Sequence, residues 1–282
     1  MIEYIKMFVI SLVNGVMMPL PVSSSAHVSF LNKVLGYTEN GSVLSFYYAV
    51  FSIAFALVVF FNLRKIYSKV FKALFEKNNN EKTSDTYKKA GKNIVLSLIP
   101  TVVLFVPVSK DMLIIDYFDK FLSSSGLLLT TFASLISALI FVTAVWYTKQ
   151  NNAPTVRSAS TKTVIRSAIY ELVAYVIPGT SKIAIGTVNM LICDVEPRVI
   201  MREIYLYSAP VIFVVSLIKI VRGLIVDLVV DPLAIIIGAV VSLIVSAVII
   251  NFVSKVNMRK LLGFFAWYSV IFGISAFIMS LV

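Results

Sequence analysis

A polar, proline-containing segment interrupts a long apolar run near the start of this chain. Residues 19–27 read Pro-Leu-Pro-Val-Ser-Ser-Ser-Ala-His and lie inside the apolar run from Met7 to Asn32. Proline removes a backbone donor and clashes with the preceding helical turn. In hydrocarbon no water repairs that loss, so broken backbone is tolerated there only when protein buries it or when it lines a wet cavity. The segment is therefore predicted to form a site inside the protein at membrane depth.

The composition is that of a polytopic membrane protein. Hydrophobic residues make up 59% and charged residues 14%, against about 25% charged residues in soluble domains. The formal charge of +11 is spread over short loops between apolar runs, which is typical of topology signals rather than of nucleic-acid binding. These loops also favour anionic lipid head groups. The single cysteine, Cys193, excludes an intramolecular disulfide and a multi-cysteine metal site.

Charge-poor runs predict an all-α protein with six membrane-spanning helices, since a span needs about 20 apolar residues. These runs are residues 42–63, 93–108, 121–148, 198–222, 232–254 and 261–282, of which 93–108 is the shortest. Two more apolar segments, 4–35 and 162–194, are each broken centrally by proline and small hydroxyl residues. We expect each of these two to be a helical hairpin.

The loop charges orient these segments in the membrane. Basic residues cluster in 64–92, 149–166 and 255–260, which the positive-inside rule places in the cytoplasm, whereas 110–120 carries three aspartates. This assignment holds only if each broken segment enters and leaves the membrane on the same side. The broken segments are therefore predicted to be re-entrant, and both chain termini to lie outside the cytoplasm.

The same assignment divides the chain into two repeats of opposite orientation, residues 1–150 and 151–282. Residues 21–24, Pro-Val-Ser-Ser, have their counterpart in residues 178–181, Pro-Gly-Thr-Ser. Inverted repeats whose broken helices meet near the midplane are a recurring plan for membrane sites that handle a substrate. The alternative, eight ordinary spans with kinks, stays open because kinked helices are common in membranes.

At these segments the chain resembles the undecaprenyl-pyrophosphate phosphatase family of the bacitracin-resistance type. Residues 21–27, Pro-Val-Ser-Ser-Ser-Ala-His, are similar to the family's Pro-Val-Ser-Ser-(Thr/Ser)-Gly-His, and residues 177–182, Ile-Pro-Gly-Thr-Ser-Lys, to its Pro-Gly-x-Ser-Arg-Ser-Gly. Residues 264–268, Phe-Phe-Ala-Trp-Tyr, resemble its aromatic C-terminal span. The resemblance implies six spans plus two re-entrant hairpins in the bacterial plasma membrane. It also implies hydrolysis of a polyprenyl pyrophosphate to the monophosphate, in recycling of the lipid carrier for cell-wall synthesis.

The chain departs from the family where the chemistry is expected. Two family carboxylates, four residues apart, correspond to Asn14 and Met18 here, and Lys182 replaces the arginine of the second motif. The resemblance implies Mg²⁺ or Ca²⁺, but these ions prefer carboxylate ligands, so no metal-ligating residue is predicted. Further departures are Ala26, Ile183 and Ser269.

The resemblance assigns a role to each candidate site residue. Ser24 corresponds to the nucleophile, His27 to its proton-shuttling partner, and Lys182 supplies a cation for phosphate, gripping it as a point charge. Amides that follow Gly179 at a helix start also favour an anion. The remaining predicted substrate-binding residues are Ser23, Ser25, Gly179, Thr180, Ser181 and Asn14.

Structural roles compete with these assignments. Serines cap helices and let membrane helices pack closely, and a lysine can extend its charge to the membrane interface. Among the acids, Glu171 is the best placed to substitute for the missing carboxylates, with Glu203 and Asp194 as further candidates. Each of the three is also a candidate for an ordinary paired or loop-end charge.

Two functions therefore stay open. The first is a working polyprenyl-pyrophosphatase built on Ser24, His27 and Lys182. The second is a non-catalytic relative that binds polyprenyl phosphate or moves it between leaflets. In both, the predicted partners are a phosphorylated polyprenyl lipid and membrane lipids, a homodimer is an open option, and no nucleic acid is expected.

Overall fold

The protein is almost entirely helical. The computed structural model describes residues 2–36, 41–75, 81–109, 112–118, 126–150, 155–177 and 179–281. The α-helices are α1 (Ile2–Met17), α2 (Ser24–Val34), α3 (Gly41–Asn62), α4 (Arg64–Phe75), α5 (Glu81–Leu98), α6 (Gly126–Gln150), α7 (Thr161–Val176), α8 (Lys182–Ile192), α9 (Ile200–Ile225), α10 (Pro232–Val253) and α11 (Met258–Leu281). A 3-10 helix (Pro100–Phe105) and two short antiparallel strands, β1 (Pro107–Ser109) and β2 (Met112–Leu113), follow α5.

Five helices in the described ranges are long and apolar enough to cross a membrane, and they make the chain an integral, polytopic membrane protein. They are α3, most of α6, α9, α10 and α11. Their bounds follow the predicted runs to within a few residues. They pack as neighbours, with α6 against α11, and with α3 against both α9 and α10.

The predicted span over residues 93–108 is wrong. α5 begins far upstream, at Glu81, and ends at Leu98, so its first half is polar. Pro100 follows, and the apolar residues after it form the 3-10 helix and β1. A proline inside a helix removes a hydrogen bond and clashes with the preceding turn, which is why this apolar run does not continue as one α-helix.

Each broken segment folds as two helices that pack against each other. At the open end of the first, the Lys6 ammonium at the start of α1 donates to the carbonyl of Gly36, just after α2, at 3.1 Å. In the second, Asn189 of α8 donates its amide to the carbonyl of Thr163, at the start of α7, at 3.0 Å. The chain thus reverses at each break, although Pro178 itself lies outside the described residues.

The two hairpins start their second helices in the same way. The Ser23 hydroxyl accepts from the Ala26 amide at 3.2 Å, and the Ser181 hydroxyl accepts from the Ala184 amide at 3.1 Å. A serine cap of this kind satisfies one of the free amides of a helix N-terminus. Both hairpins thus start the second helix with a serine cap, although the cap is the third residue of the Pro-x-(Ser/Thr)-Ser pattern in the first hairpin and the fourth in the second.

Small residues hold α1 against α10. A side chain at Gly15 would meet the Val245 side chain at 2.9 Å and the Ser242 carbonyl at 3.1 Å, and the Ser246 hydroxyl donates to the Gly15 carbonyl at 3.2 Å. Small residues of this kind let two membrane helices approach closely and hydrogen-bond to each other's backbone. The packing fixes the direction from which α1 approaches the break at residues 18–23.

The first hairpin's tip lies halfway along the spanning helices. Asn14 donates to Ser242, in the middle of α10, at 3.3 Å, and His27 hydrogen-bonds Tyr268, near the middle of α11, at 2.6 Å. The buried Tyr205 of α9 donates its hydroxyl to the Pro19 carbonyl at 2.6 Å. The broken backbone is therefore held inside the helix bundle.

Two basic residues near the end of α9, Lys219 and Arg222, oppose the positive-inside rule, and both have polar partners in other parts of the structure. Arg222 lies in the last turn of α9, at the end predicted to face outward, and its guanidinium pairs with Asp116 at 2.7 Å. Lys219, one turn earlier, donates to the hydroxyl of Ser45, near the start of α3. Both cations are therefore engaged by residues at the same end of the bundle.

We predict that Tyr205→Phe destabilises the protein in detergent by about 1–3 kcal/mol, because it leaves the Pro19 carbonyl buried without a donor. The free energy of unfolding measures this effect. Tyr147→Phe is the control, since no hydrogen bond of the Tyr147 hydroxyl is found among the described residues. Equal stability of the two variants would show that this bond does not hold the first hairpin's tip.

Candidate functional site

The tips of the two hairpins meet and line two small adjoining cavities that share Val22. Each cavity has a volume of about 10 Å³, which is room for about one water molecule. The first cavity, which we call the serine–lysine cavity, is lined by Met18, Val22, Ser24, Ser25, Tyr48, Thr180, Ser181, Lys182, Ile183 and Ile212. A larger group enters only if long side chains such as those of Met18 and Lys182 move aside.

Ser24 is the first residue of α2, and its side chain faces the serine–lysine cavity. Its hydroxyl lies 2.8 Å from the Tyr48 hydroxyl and donates to the Met18 sulfur at 3.1 Å. A thioether is a weak acceptor. The Ser24 oxygen is therefore close to a phenol, and no strong acceptor binds its proton in the described structure.

Lys182 is the first residue of α8 and is held by aromatic rings. Its ammonium lies 4.1 Å from the Tyr175 ring centre and 5.3 Å from that of Tyr48. Such cation–π contacts are attractive because the ring faces carry negative charge. Within the described residues the ammonium makes no hydrogen bond or ion pair, but its charge interacts with the buried carboxyl group of Glu171. The charge of Lys182 is thus held at the cavity without a direct ion pair there.

The serine–lysine cavity suits an anion. The N-terminal ends of α2 and α8 meet at it, and both carry partial positive charge from the helix dipole. The Lys182 ammonium adds a full charge. Carboxylates are absent from the described residues that line it, so nothing at its wall repels a negative group.

His27 faces the second cavity, which we call the histidine cavity. Its Nδ1 lies 2.6 Å from the Ser23 carbonyl, which only accepts, so Nδ1 carries the proton. Nε2 then accepts from the Tyr268 hydroxyl at 2.6 Å. The imidazole also stacks on Phe272, with ring centres 3.8 Å apart. Other residues lining this cavity are Val22, Ser134, Ser137, Gly179 and Ser269.

The structure does not join Ser24 to His27. Although they are three residues apart on α2, Ser24 contacts Tyr48 and His27 contacts Tyr268, and no hydrogen bond links the two described side chains. The expectation that His27 activates Ser24 directly therefore has no support in this arrangement. Tyr48, not His27, is hydrogen-bonded to Ser24.

Gly179 sits where only glycine fits. Its φ is +83°, a conformation that side chains rarely adopt, and an added Cβ would lie 3.0 Å from Ala133 Cβ and from Thr130 Cα. The second hairpin's tip is thereby pressed against α6. Gly179 lines the histidine cavity and contributes only backbone atoms to it.

Most of the other predicted hydroxyls already have structural partners. Ser23 and Ser181 cap α2 and α8, and Thr180 donates to the Ile177 carbonyl at 2.6 Å. Ser25 lines the serine–lysine cavity and its hydroxyl lies 3.3 Å from that of Ser23. These residues shape the cavity, and Ser24, Lys182 and His27 present the groups suited to chemistry.

The positions of the family's carboxylates do not fit a divalent cation. Asn14 and Met18 are one helical turn apart, as predicted, and the Met18 amide donates to the Asn14 carbonyl. The Met18 side chain contacts the Ser24 hydroxyl, but the only atom it could offer to a metal ion is its sulfur. Asn14 turns toward Ser242, which leaves one amide oxygen buried without a partner. One amide oxygen and a thioether are poor ligands for Mg²⁺ or Ca²⁺.

Among the three candidate acids, Glu171 is the one with a buried carboxyl oxygen that lacks a hydrogen-bond partner within the described residues. Glu203 accepts from the Ala159 amide at 3.0 Å and pairs with Arg202, and Asp194 lies in the turn after α8. Glu171 is 3% exposed and its Oε1 has no hydrogen-bond partner within the described chain. It does not line either cavity.

Sequence reasoning missed the tyrosines of the site. Tyr48 and Tyr175 flank Lys182, and Tyr268 binds His27. Tyr48 and Tyr268 lie in aromatic-rich apolar helices, where one more ring carries no signal. Ser269, one of the departures from the family's pattern, lines the histidine cavity. A search for hydroxyl-bearing rings near the middle of predicted spans would have found Tyr268 and Tyr205.

Comparison with known proteins places the chain in a single group. The family model for the bacitracin resistance protein BacA matches residues 7–275. An undecaprenyl-diphosphatase 1 from Pseudoalteromonas translucida is 28% identical over 96% of both chains. Undecaprenyl-diphosphatases from Tropheryma whipplei and Lactobacillus delbrueckii subsp. bulgaricus are 24% and 23% identical over nearly the full length of each.

The single histidine makes the histidine cavity testable by nuclear magnetic resonance. We predict that in ¹⁵N-labelled protein Nδ1 of His27 gives the shift of a protonated nitrogen and Nε2 that of an unprotonated acceptor, because the Ser23 carbonyl fixes the tautomer. Tyr268→Phe should move the Nε2 signal and leave Nδ1 nearly unchanged. A proton on Nε2 in the wild type would contradict the described hydrogen bonds.

Proposed function

Because this chain belongs to the bacitracin resistance protein BacA family, we propose that it hydrolyses a polyprenyl pyrophosphate, such as undecaprenyl pyrophosphate, to the monophosphate. Its relatives of similar length are named undecaprenyl-diphosphatases. The substrate would enter from the outer leaflet, and the reaction would recycle a lipid carrier for cell-wall synthesis.

One observation carries the proposal: both hairpin tips contribute to a single cavity with a hydroxyl and an ammonium that makes no direct ion pair among the described residues. Ser24 supplies the oxygen and Lys182 the charge, and each is the first residue of a helix whose N-terminus favours anions. A charge-assisted hydrogen bond from the ammonium would hold the terminal phosphate next to Ser24. Phosphoryl transfer depends mainly on such positioning and charge stabilisation.

In the proposed reaction the Ser24 oxygen attacks the terminal phosphorus. A bond forms between them while the bond from phosphorus to the bridging oxygen breaks, and the polyprenyl monophosphate leaves with that electron pair. The Ser24 proton ends on a terminal oxygen of the transferred phosphate. Water then attacks the phosphoserine, Ser24 regains a proton, and inorganic phosphate leaves.

The membrane arrangement is part of the proposal. Residues 1–150 and 151–282 would form two inverted repeats, each with a re-entrant hairpin, and both termini would lie outside the cytoplasm. The matched serine caps of the two hairpins and the mid-depth contacts of the first tip support this plan. Assembly as a homodimer is compatible with the apolar faces of the helices but is not required by the site.

We propose that the reaction depends only weakly on Mg²⁺ or Ca²⁺. The argument rests on the donor atoms at the family's carboxylate positions, where Asn14 and Met18 offer one amide oxygen and a sulfur. No step of the proposed reaction is assigned to a metal ion.

A second candidate function is a carrier that binds polyprenyl phosphate or moves it between leaflets. The replacement of both carboxylates favours it, because Met18 gives the Ser24 oxygen only a weak acceptor. The same cavity would then bind the phosphate without cutting it, and Lys182 would remain its cation.

Phosphate release separates the two functions. Purified protein with undecaprenyl pyrophosphate should release inorganic phosphate slowly, with similar rates in Mg²⁺ and in a chelator, and Ser24→Ala should abolish the release. Binding of the lipid without any Ser24-dependent release would favour the carrier. Loss of both binding and release would overturn both functions.

We predict that Lys182→Ala weakens binding of a polyprenyl phosphate by roughly ten- to a hundredfold in Kd, since a charge-assisted hydrogen bond contributes about 1.5–3 kcal/mol. Lys182→Arg keeps the charge and can form two parallel hydrogen bonds to one phosphate, so its Kd should stay close to that of the wild type. Lipid binding measured in detergent tests both. Equal affinity of the wild type and Lys182→Ala would place the phosphate elsewhere.

Restoring the two carboxylates should restore metal dependence. In the double variant Asn14→Glu with Met18→Glu, a carboxylate stands beside the Ser24 hydroxyl and another one turn below. Release of phosphate with Mg²⁺ is expected to rise about tenfold or more, which corresponds to about 1.4 kcal/mol of barrier. The neutral control is Asn14→Gln with Met18→Gln. Strong metal stimulation of the unmodified protein would contradict the prediction and would indicate another acid, with Glu171 the first candidate.

A further inference from the structure

We infer that Tyr48 is a further catalytic residue, which relays the proton of Ser24 to a terminal oxygen of the bound phosphate. The inference rests on the proposed function. It concerns a residue of α3, which neither hairpin contains, and it gives the reaction the proton path that His27 does not provide in this arrangement.

The geometry places the Tyr48 hydroxyl next to Ser24 at the wall of the same cavity. Its hydroxyl lies 2.8 Å from the Ser24 oxygen, the shortest contact of that oxygen, and 3.6 Å from the Met18 sulfur. Tyr48 also lines the serine–lysine cavity, together with Lys182. A phosphate held by Lys182 next to Ser24 would therefore also contact the phenol.

Other groups at the Ser24 oxygen are unsuited to take its proton. An ammonium has no acceptor site, so Lys182 is excluded, and the thioether of Met18 is only a weak acceptor. His27 accepts from Tyr268 in the histidine cavity. Carboxylates do not occur among the described residues that line the serine–lysine cavity. The phenol is the one group in contact that both accepts and donates.

The relay moves two protons in one direction. As the Ser24 oxygen bonds to phosphorus, its proton passes to the Tyr48 oxygen, and the phenolic proton passes to a terminal phosphate oxygen. Tyr48 is a neutral phenol before and after, so no external base is consumed. An anionic phosphate oxygen is a far stronger acceptor than a thioether, so it would displace the Met18 sulfur as the partner of the phenol.

Lys182 supports the relay electrostatically. Its ammonium is 5.3 Å from the centre of the Tyr48 ring. Negative charge that builds up on the phenol oxygen during the transfer is stabilised by this cation in a cavity with little water. The ring of Tyr48 thus contacts the ammonium, and the hydroxyl of Tyr48 transfers the proton.

Tyr48→Phe separates these two contributions, because it keeps the ring and removes only the hydroxyl. Proton transfer by a positioned side chain contributes about 10²–10⁴-fold to a rate, so kcat should fall by at least roughly a hundredfold. KM and the Kd for polyprenyl phosphate should change less than about twofold, since Lys182 keeps its ring contact. The control is Tyr67→Phe, which loses a hydroxyl bonded at 3.0 Å to the Leu206 carbonyl, and neither of these residues lines the cavity.

A second measurement uses the wild type alone. In single-turnover phosphate release, the rate plotted against the deuterium fraction of the solvent should be curved, as expected for two protons in motion. A straight line would overturn the relay, as would a kcat of Tyr48→Phe equal to that of Tyr67→Phe. Absence of any Ser24-dependent release in the wild type would overturn the proposed function first, and the relay with it.

Discussion

The architecture depends on one constraint, which is that helices broken within a membrane must have their backbone groups satisfied by protein. The first tip meets it through the Tyr205 hydroxyl on the Pro19 carbonyl and through the Ser23 cap. The second meets it through the Ser181 cap and the Thr180 hydroxyl on the Ile177 carbonyl. Hydrocarbon offers no water to make these bonds, so the caps are made within each hairpin, and the Pro19 carbonyl takes its donor from the spanning helix α9.

The same constraint creates the site. Two serine-capped helix starts directed at one place concentrate amide donors and positive dipole ends, and the first residues of those helices are Ser24 and Lys182. Met18, which lines this cavity, adds no negative charge to it. In the account proposed above, the protein therefore binds phosphate through fixed charge, and the proton moves through a phenol on α3 rather than through an acid pair.

The sequence was sufficient for features that depend on neighbours in the chain. The breaks at residues 18–23 and 177–181 and the five apolar spans followed from proline, serine and charge patterns. The span predicted over residues 93–108 was wrong because the prediction rested on the hydropathy of the run and neglected Pro100, before which the α-helix ends. The partners of Ser24 and His27 were beyond reach, because Tyr48 and Tyr268 come from helices 24 and 241 residues away, and a ring in an apolar helix looks the same whichever way it faces.

The central claim is that both hairpin tips line one cavity, and cross-linking between them tests it most directly. In a Cys193→Ser background, Ser25→Cys and Thr180→Cys should be joined efficiently by a short bifunctional thiol reagent in native membranes, because both positions line the serine–lysine cavity. The control pair is Ser25→Cys with Lys255→Cys. Lys255 follows α10 and lies 13 residues past mid-helix Ser242, roughly 20 Å along the axis at 1.5 Å per residue. Joining of the first pair but not the second is the predicted result; failure of the first, or equal joining of both, would contradict the account.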